Sequence, residues 1–213
     1  MLKLLAGFLI VMMVGLASVV EASVADYVVI SEFFYDEDGG DNNEFVELYN
    51  PTKAAVDISG WKLTHYNQTG KLQSTVTIPE DTSIAPGGYF LIGEKSPLNS
   101  ADWGGEEVIP DLIRLTKVDW QNGPGDGIVL KDANGDIIDG LQYGMHKDGP
   151  SGAGEGKPAM DAPKGKSLER KSNDRGVIRG QGNGWDTNDN ASDFEISQPN
   201  PQNSNSPTET AQL

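Results

Sequence analysis

The sequence predicts an all-β protein, a sandwich or barrel of short strands, and three observations carry that reading. Apolar residues come in short runs rich in β-branched and aromatic side chains, the runs are punctuated by Gly, Pro, Asn and Asp, and helical periodicity is almost absent. Short antiparallel strands stacked in two layers need such a rhythm: each strand buries alternate side chains, and each turn calls for residues that accept unusual dihedrals. No longer period points to a solenoid or propeller.

The first segment stands outside that pattern. After Lys3 the chain runs uncharged from Leu4 to Val20 and reaches Val20-Glu21-Ala22, with small residues placed for a cut, so residues 1–22 read as a secretory signal peptide. The run falls short of the roughly 20 apolar residues of a spanning helix. The expected division is therefore a signal at 1–22, a β domain at 23–198 and a disordered tail at 199–213, the last having a polar, Pro- and Asn-rich composition. A protein so built is secreted or held at the cell surface, with no membrane span once the signal is removed.

Within the domain, YVVISEFFY (27–35) reads as a strand, DEDGGDNN as an acidic loop and EFVELYNP (44–51) as a second strand. In the latter, alternation puts Val46 and Leu48 on one face and Phe45, Glu47 and Tyr49 on the other. In AAVDISGWKLTHY (54–66), Trp61 and Leu63 share a face, which makes Trp61 the expected core aromatic. Pro86-Gly87 suits the centre of a type II turn, since Pro presets the first φ and Gly accepts the second. Residues 126–144 hold two alternating strands joined at Asn134-Gly135, a dipeptide that favours a type I′ hairpin. Asp132, Asn134 and Asp136 mimic the start of an EF-hand, but Ile137 stands where that loop needs Gly, so a turn is the reading. From His146 to Lys166 the chain is rich in Gly, Pro, Lys and Ala and reads as a mobile surface loop.

Composition excludes several functions. The formal net charge is −16, and Lys3 and Glu21 cancel, so removal of the signal leaves it unchanged. Such a surface repels phosphate backbones, which makes nucleic acid a poor partner. Without cysteine there are no thiol nucleophiles or Cys-ligated zinc sites, and with only His65 and His146 a histidine-based triad has little to draw on.

Taken together, VVISEFFYD, NEFVELYNP, VDISGW, SIAPGGYFLIG, DANGDIIDGLQYG, KSLERK, DTNDNASDF and PNPQNS resemble the lamin tail domain in order and spacing, from residue 27 to about 203. The version most similar is that of secreted prokaryotic proteins. The resemblance implies an immunoglobulin-like β-sandwich and a non-catalytic role; with the export signal, the expected partner is an extracellular protein or a cell-surface glycan. Nothing here resembles a lamin rod, so the nuclear role is not carried over. A shared fold does not by itself carry a function.

One stretch, WDTNDNASDF (185–194), raises the question of a metal. Asp186, Asn188 and Asn190 alternate in the manner of a calcium loop, and extracellular calcium fills weak oxygen sites. About six oxygens are needed, and Asp36, Asp38 and Asp41 of the acidic loop are the candidate donors. The plainer reading is a set of Asx turns in which these side chains bond nearby backbone.

Three further features invite weighing. On a regular strand Glu32 would share a face with Val28, Ile30 and Phe34 and would need Arg170 or a cation as partner. Glu44 and Glu47 point to opposite faces and cannot flank one glycosidic bond, although a pair drawn from different strands stays open. Tyr27, Tyr35, Tyr49, Tyr66 and Trp103, if outward, would form a glycan platform. The sequence thus supports a non-catalytic binding or structural module, with a calcium-dependent glycan-binding or adhesion module as the alternative and a secreted hydrolase behind both.

Overall fold

Pairing of the short runs builds two main sheets in the computed structural model, which describes residues 23–40, 42–114, 120, 125–144 and 152–212. The strands are β1 (Ser23–Val24), β2 (Val29–Phe34), β3 (Phe45–Tyr49), β4 (Val56–Asp57), β5 (Lys62–Tyr66), β6 (Leu72–Thr77), β7 (Ser83–Ile84), β8 (Tyr89–Gly93), β9 (Leu112–Ile113), β10 (Gly127–Lys131), β11 (Ile137–Gln142), β12 (Ser167–Arg170), β13 (Trp185–Asp186) and β14 (Phe194–Ser197). A one-turn helix, α1 (Asn190–Asp193), precedes β14. Six strands form one sheet in the order β14-β12-β2-β3-β8-β9, and four form the other in the order β11-β10-β5-β6. Neighbours run antiparallel except β8 and β9. The fold is the predicted one, an all-β, immunoglobulin-like sandwich.

The core lies between the sheets. Ile30, Phe33, Val46, Leu48, Phe90, Ile92 and Leu168 come from the six-stranded side, and Leu63, Val76, Ile128, Leu130 and Leu141 from the four-stranded side. Its indole is Trp120, 1 % exposed and edge-on to Phe33 at 5.5 Å. Trp61 packs only against the rim of this cluster and is half-buried, which corrects the expectation. It shares the side of Leu63 but precedes the first residue of β5, at the end of the layer, where the core covers it only in part.

The six-stranded sheet is covered on its outer side as well. Val29, Tyr49 and Tyr89 gather beneath Ala25, Tyr27 and Ala211, while Phe34, Phe45 and Leu91 gather beneath Leu98, Trp103 and Val108. That double cover is why β2, β3 and β8 are buried at every position.

Local turn chemistry is largely as read. Gly88 N–H bonds Ala85 O at 2.9 Å with Gly87 at φ +67°, the type II arrangement around Pro86-Gly87. The 126–144 hairpin forms, but with a different turn. Gly135 N–H bonds Asp132 O at 3.1 Å, and Gly135, at φ +96°, is the one left-handed residue of that turn, so it is a type I turn closed by a glycine bulge. The Asp132 carboxylate accepts from Gly135 N and Asp136 N, each at 2.8 Å, which agrees with the turn reading of that loop.

Two segments expected to be loose are packed. Within the 146–166 loop, residues 146–151 lie outside the described residues, but Ala153, Ala159 and Ala162 are buried. Ala162 N–H donates to the Tyr35 hydroxyl at 2.6 Å. Small residues suit this path because a Cβ at Gly154 would come within 2.3 Å of the Asn190 Oδ1. Residues 199–212, expected as a disordered tail, run across the outer face of the six-stranded sheet. Asn200 N–H donates to Glu32, Gln202 N–H to Glu47 at 2.7 Å, and Glu209 N–H to Gly87 O at 2.8 Å.

Candidate functional site

Among the described residues, two clusters of buried ionisable groups gather several of the residues singled out above. The first surrounds Arg170 at the end of β12. Its guanidinium is fully buried, and Nη2 meets Asp139 Oδ2 at 2.7 Å and Oδ1 at 3.0 Å. Nε donates to Ile30 O at 2.9 Å, and Nη1 lies 3.6 Å from Asp186 and 4.0 Å from Asp193. The group sits over the Phe194 ring at 4.6 Å. Such a multiply bonded planar cation suits Arg rather than Lys.

The predicted calcium stretch runs along this cluster, yet its three candidate ligands do not assemble. Asp186 is buried; one carboxylate oxygen accepts from Asn188 N at 2.9 Å, forming an Asx turn, and the other accepts from the Tyr27 hydroxyl. Asn188 is exposed, with left-handed backbone at φ +54°. Asn190 is fully buried, its Oδ1 accepting from Gln142 N at 2.9 Å and Glu155 N at 3.0 Å while Nδ2 donates to Gly140 O at 2.8 Å. It fastens the 152–166 segment and the edge of β11. The acidic loop does not come to Asp186: Asp38 N–H bonds Asp102 at 2.9 Å, Gly165 N–H bonds Asp36 O at 2.7 Å, and Asp41 lies outside the described residues.

What does approach Asp186 is a pair the sequence reading missed. Carboxylate oxygens of Glu155, Asp186 and Asp193 lie within 4.8 Å of one another. Asp193 is the nucleus of its own turn, accepting from Thr187 N at 2.9 Å, Thr187 Oγ1 at 2.7 Å and Asp189 N at 3.1 Å. Glu155 sits in the loop read as slack. Burial, and then the charges of Asp139 and Asp186, push its carboxyl up to about 8. Burial likewise raises Asp139 and Asp193, against the pull of Arg170. The Arg170 guanidinium already supplies positive charge beside Asp186 and Asp193.

The second cluster is a row of carboxylates across three strands: Glu169 of β12 pairs in register with Glu32 of β2, and Glu32 with Glu47 of β3. A register shift between Ile30 and Glu32 inverts the alternation there. Phe33 therefore joins Ile30 in the core, and Glu32 turns outward, away from the face expected for it. Its partner is not Arg170. Ser167 Oγ donates to it at 2.5 Å and Asn200 N–H at 3.1 Å. Glu47 accepts from Ser31 Oγ at 2.6 Å and from Gln202 N–H, and Glu169 from Arg179 at 2.5 Å. Burial is the main reason that all three carboxyls rise, Glu47 to about 8.

The remaining candidates are separated. Glu44 accepts from Arg114 at 3.2 Å and Trp120 N–H at 3.3 Å, so it and Glu47 serve different partners. His65 and Asp126 meet at 3.1 Å, but the histidine is only 1 % exposed and Asp126 also takes Gln68 N–H at 2.7 Å; His146 lies outside the described residues. Tyr35 and Tyr49 are buried, their hydroxyls reaching Asp161 and Glu209 O. Tyr27, Tyr66 and Trp103 are half-buried. The five aromatics thus do not share an outward face.

Comparison with known proteins agrees with this architecture. The sequence profile of the family described as Lamin Tail Domain matches residues 21–145. Among solved structures, the chain is similar to a DUF4876 family protein from Bacteroides thetaiotaomicron, with a TM-score of 0.55 and 15 % identity over 83 % of this chain and 72 % of that one. At that identity the likeness is one of fold. No curated protein matches the chain.

Proposed function

This chain belongs to the lamin tail domain family, and from that premise we propose that it is a non-catalytic binding or structural module of the cell exterior, displaying loops on a rigid β-sandwich to an extracellular protein or a cell-surface glycan. One observation carries the reading: among the described residues, most of the buried groups able to do acid–base chemistry are bound to the chain itself. Arg170 is held by Asp139, His65 by Asp126, and Glu32 and Glu47 by the backbone of residues 200–202. A catalytic pair needs access to substrate as well as shifted acidity, and these groups are covered. The apolar segment at 4–20 supports export, and the net charge of −16 disfavours nucleic acid.

The test is binding of the labelled protein to intact cells and envelope fractions of its own organism, before and after protease or periodate treatment. Saturable binding lost to one treatment is expected and identifies the partner as protein or glycan. No binding to either, with turnover of a glycosidic or ester substrate, would overturn the reading.

A second reading, a calcium-dependent glycan-binding or adhesion module, is favoured by the convergence of Glu155, Asp186 and Asp193 and by one buried Glu155 oxygen without a hydrogen-bond partner among the described residues. It predicts retention on immobilised glycans in calcium that is lost in chelator and in Asp186→Ala. Retention indifferent to calcium removes it.

A further inference from the structure

The sheet edges of this protein are not treated alike. At β11 the outer edge is closed by Asn190, which bonds Gln142 N and Gly140 O, and by Ala159 N–H on Gln142 O at 2.8 Å. At β14, Val177 N–H bonds the Glu195 carboxylate at 3.0 Å and Arg179 reaches Gln198 O at 3.0 Å. The edge strand β9 has two residues. The strand β6, at the end of the four-stranded sheet, has six and carries no such cover among the described residues.

The geometry of β6 fixes which groups face out. Ile78 N–H bonds Trp61 O at 2.8 Å and Gly60 N–H bonds Ile78 O at 3.0 Å, so residue 78 points to β5. Antiparallel alternation then turns Val76 and Ser74 toward β5, and the N–H and C=O groups of Thr75 and Thr77 toward the open side. Both threonines are exposed. A register shift between His65 and Tyr66 leaves Gln73 as a bulge, so the regular edge is the stretch 74–78.

Natural edges are commonly protected by charge or proline. Here no charge occurs between Lys71 and Glu80, in a chain whose residues are 23 % charged, and the one proline, Pro79, lies past the strand. The charges that flank this run are opposite in sign: Lys71 before it, Glu80 and Asp81 after it. A strand with that polarity is complementary to itself when reversed.

We propose that β6 is a self-complementary docking edge by which two copies of this chain join, β6 against β6 antiparallel, about a two-fold axis through Val76. That register sets Thr75 of each copy opposite Thr77 of the other, forming about four new N–H···O bonds, and brings Lys71 of each toward Glu80 and Asp81 of the other. The two four-stranded sheets become one continuous sheet. An isologous interface of this kind closes on itself and does not propagate into a filament.

The test is sedimentation velocity of the purified protein from about 10 μM to 1 mM, a range suited to a small interface. A concentration-dependent monomer–dimer equilibrium is expected. Thr75→Pro removes an N–H that points away from β5, a substitution edge strands tolerate; it should cut the association constant at least about tenfold while keeping the wild-type circular dichroism and melting temperature. Lys71→Glu should weaken self-association independently, and mixing it with Glu80→Lys should restore a dimer of the two variants. A monomer throughout the range overturns the proposal, as does undiminished dimerisation in folded Thr75→Pro or in Lys71→Glu. Occupation of the edge by a strand from a different protein, with this chain itself monomeric, overturns it equally.

Discussion

At Glu47 two hydrogen bonds hold a carboxylate that burial pushes up to about 8. A folded-state value above the ordinary 4.5 means the native protein binds this proton more tightly than the unfolded chain, so its contribution to stability is complete below about 4.5 and is lost as pH rises through about 8. Glu32 shifts in the same direction for the same first cause. The melting temperature should therefore fall between pH 5 and 9, and Glu47→Gln, which keeps an acceptor for Gln202 N–H, should flatten that slope. A slope unchanged in the variant would place the titration elsewhere. Arg170 makes the opposite case, a cation whose loss strands its acids. Arg170→Met should cost about 3–5 kcal/mol in chemical denaturation, and Asp139→Leu in the same chain should recover part of it. A loss under about 1 kcal/mol would mean that Asp139 is neutral in the fold. At this scale the sequence was least legible. Glu32 was correctly singled out as a carboxylate needing a partner, but the bulge beside it, invisible in residue identities, reverses its face and exchanges Arg170 for Ser167 and Asn200.

Elements built from local chemistry were the readable ones. The 126–144 hairpin and the Pro86-Gly87 turn follow from residues that touch their own neighbours, and even there the turn type shifted because Asp132 captures two N–H groups and pulls the loop into a type I form. Gly135, at φ +96° with nothing within 4 Å of an added Cβ, should lose about 1 kcal/mol on substitution by Ala, for conformational reasons alone; a neutral change by thermal melting would refute that account of the turn. The C-terminal segment shows the converse. Its composition is that of free chain, but its partners Glu32 and Glu47 stand 168 and 155 residues away, a separation no window on the sequence spans. Ending the chain at Gln198 removes two N–H donors to buried carboxylates and uncovers Tyr49 and Tyr89. It should cost about 3 kcal/mol, or roughly 10 °C of melting temperature. An unchanged midpoint would show the segment to be ornament.

For the whole molecule, family and fold class were legible because they rest on the sum of many weak signals, whereas the strand order and the site were not, because they depend on which distant strands pair and which buried acids meet. The alternation of Asp186, Asn188 and Asn190 suggested an ion, but the fold spends Asn188 and Asn190 on turns and backbone and brings in Glu155 and Asp193 from the 152–166 segment and α1. This acidic protein neutralises its buried carboxylates largely with its own groups, through Arg170, hydroxyls and backbone N–H. Melting in millimolar calcium and in chelator tests that claim most directly, because an ion that binds only the folded form raises the midpoint. The same melting temperature in both is the predicted result. A rise of several degrees in calcium that disappears in Asp186→Ala would contradict it, and would make the acidic cluster around Arg170 a metal site.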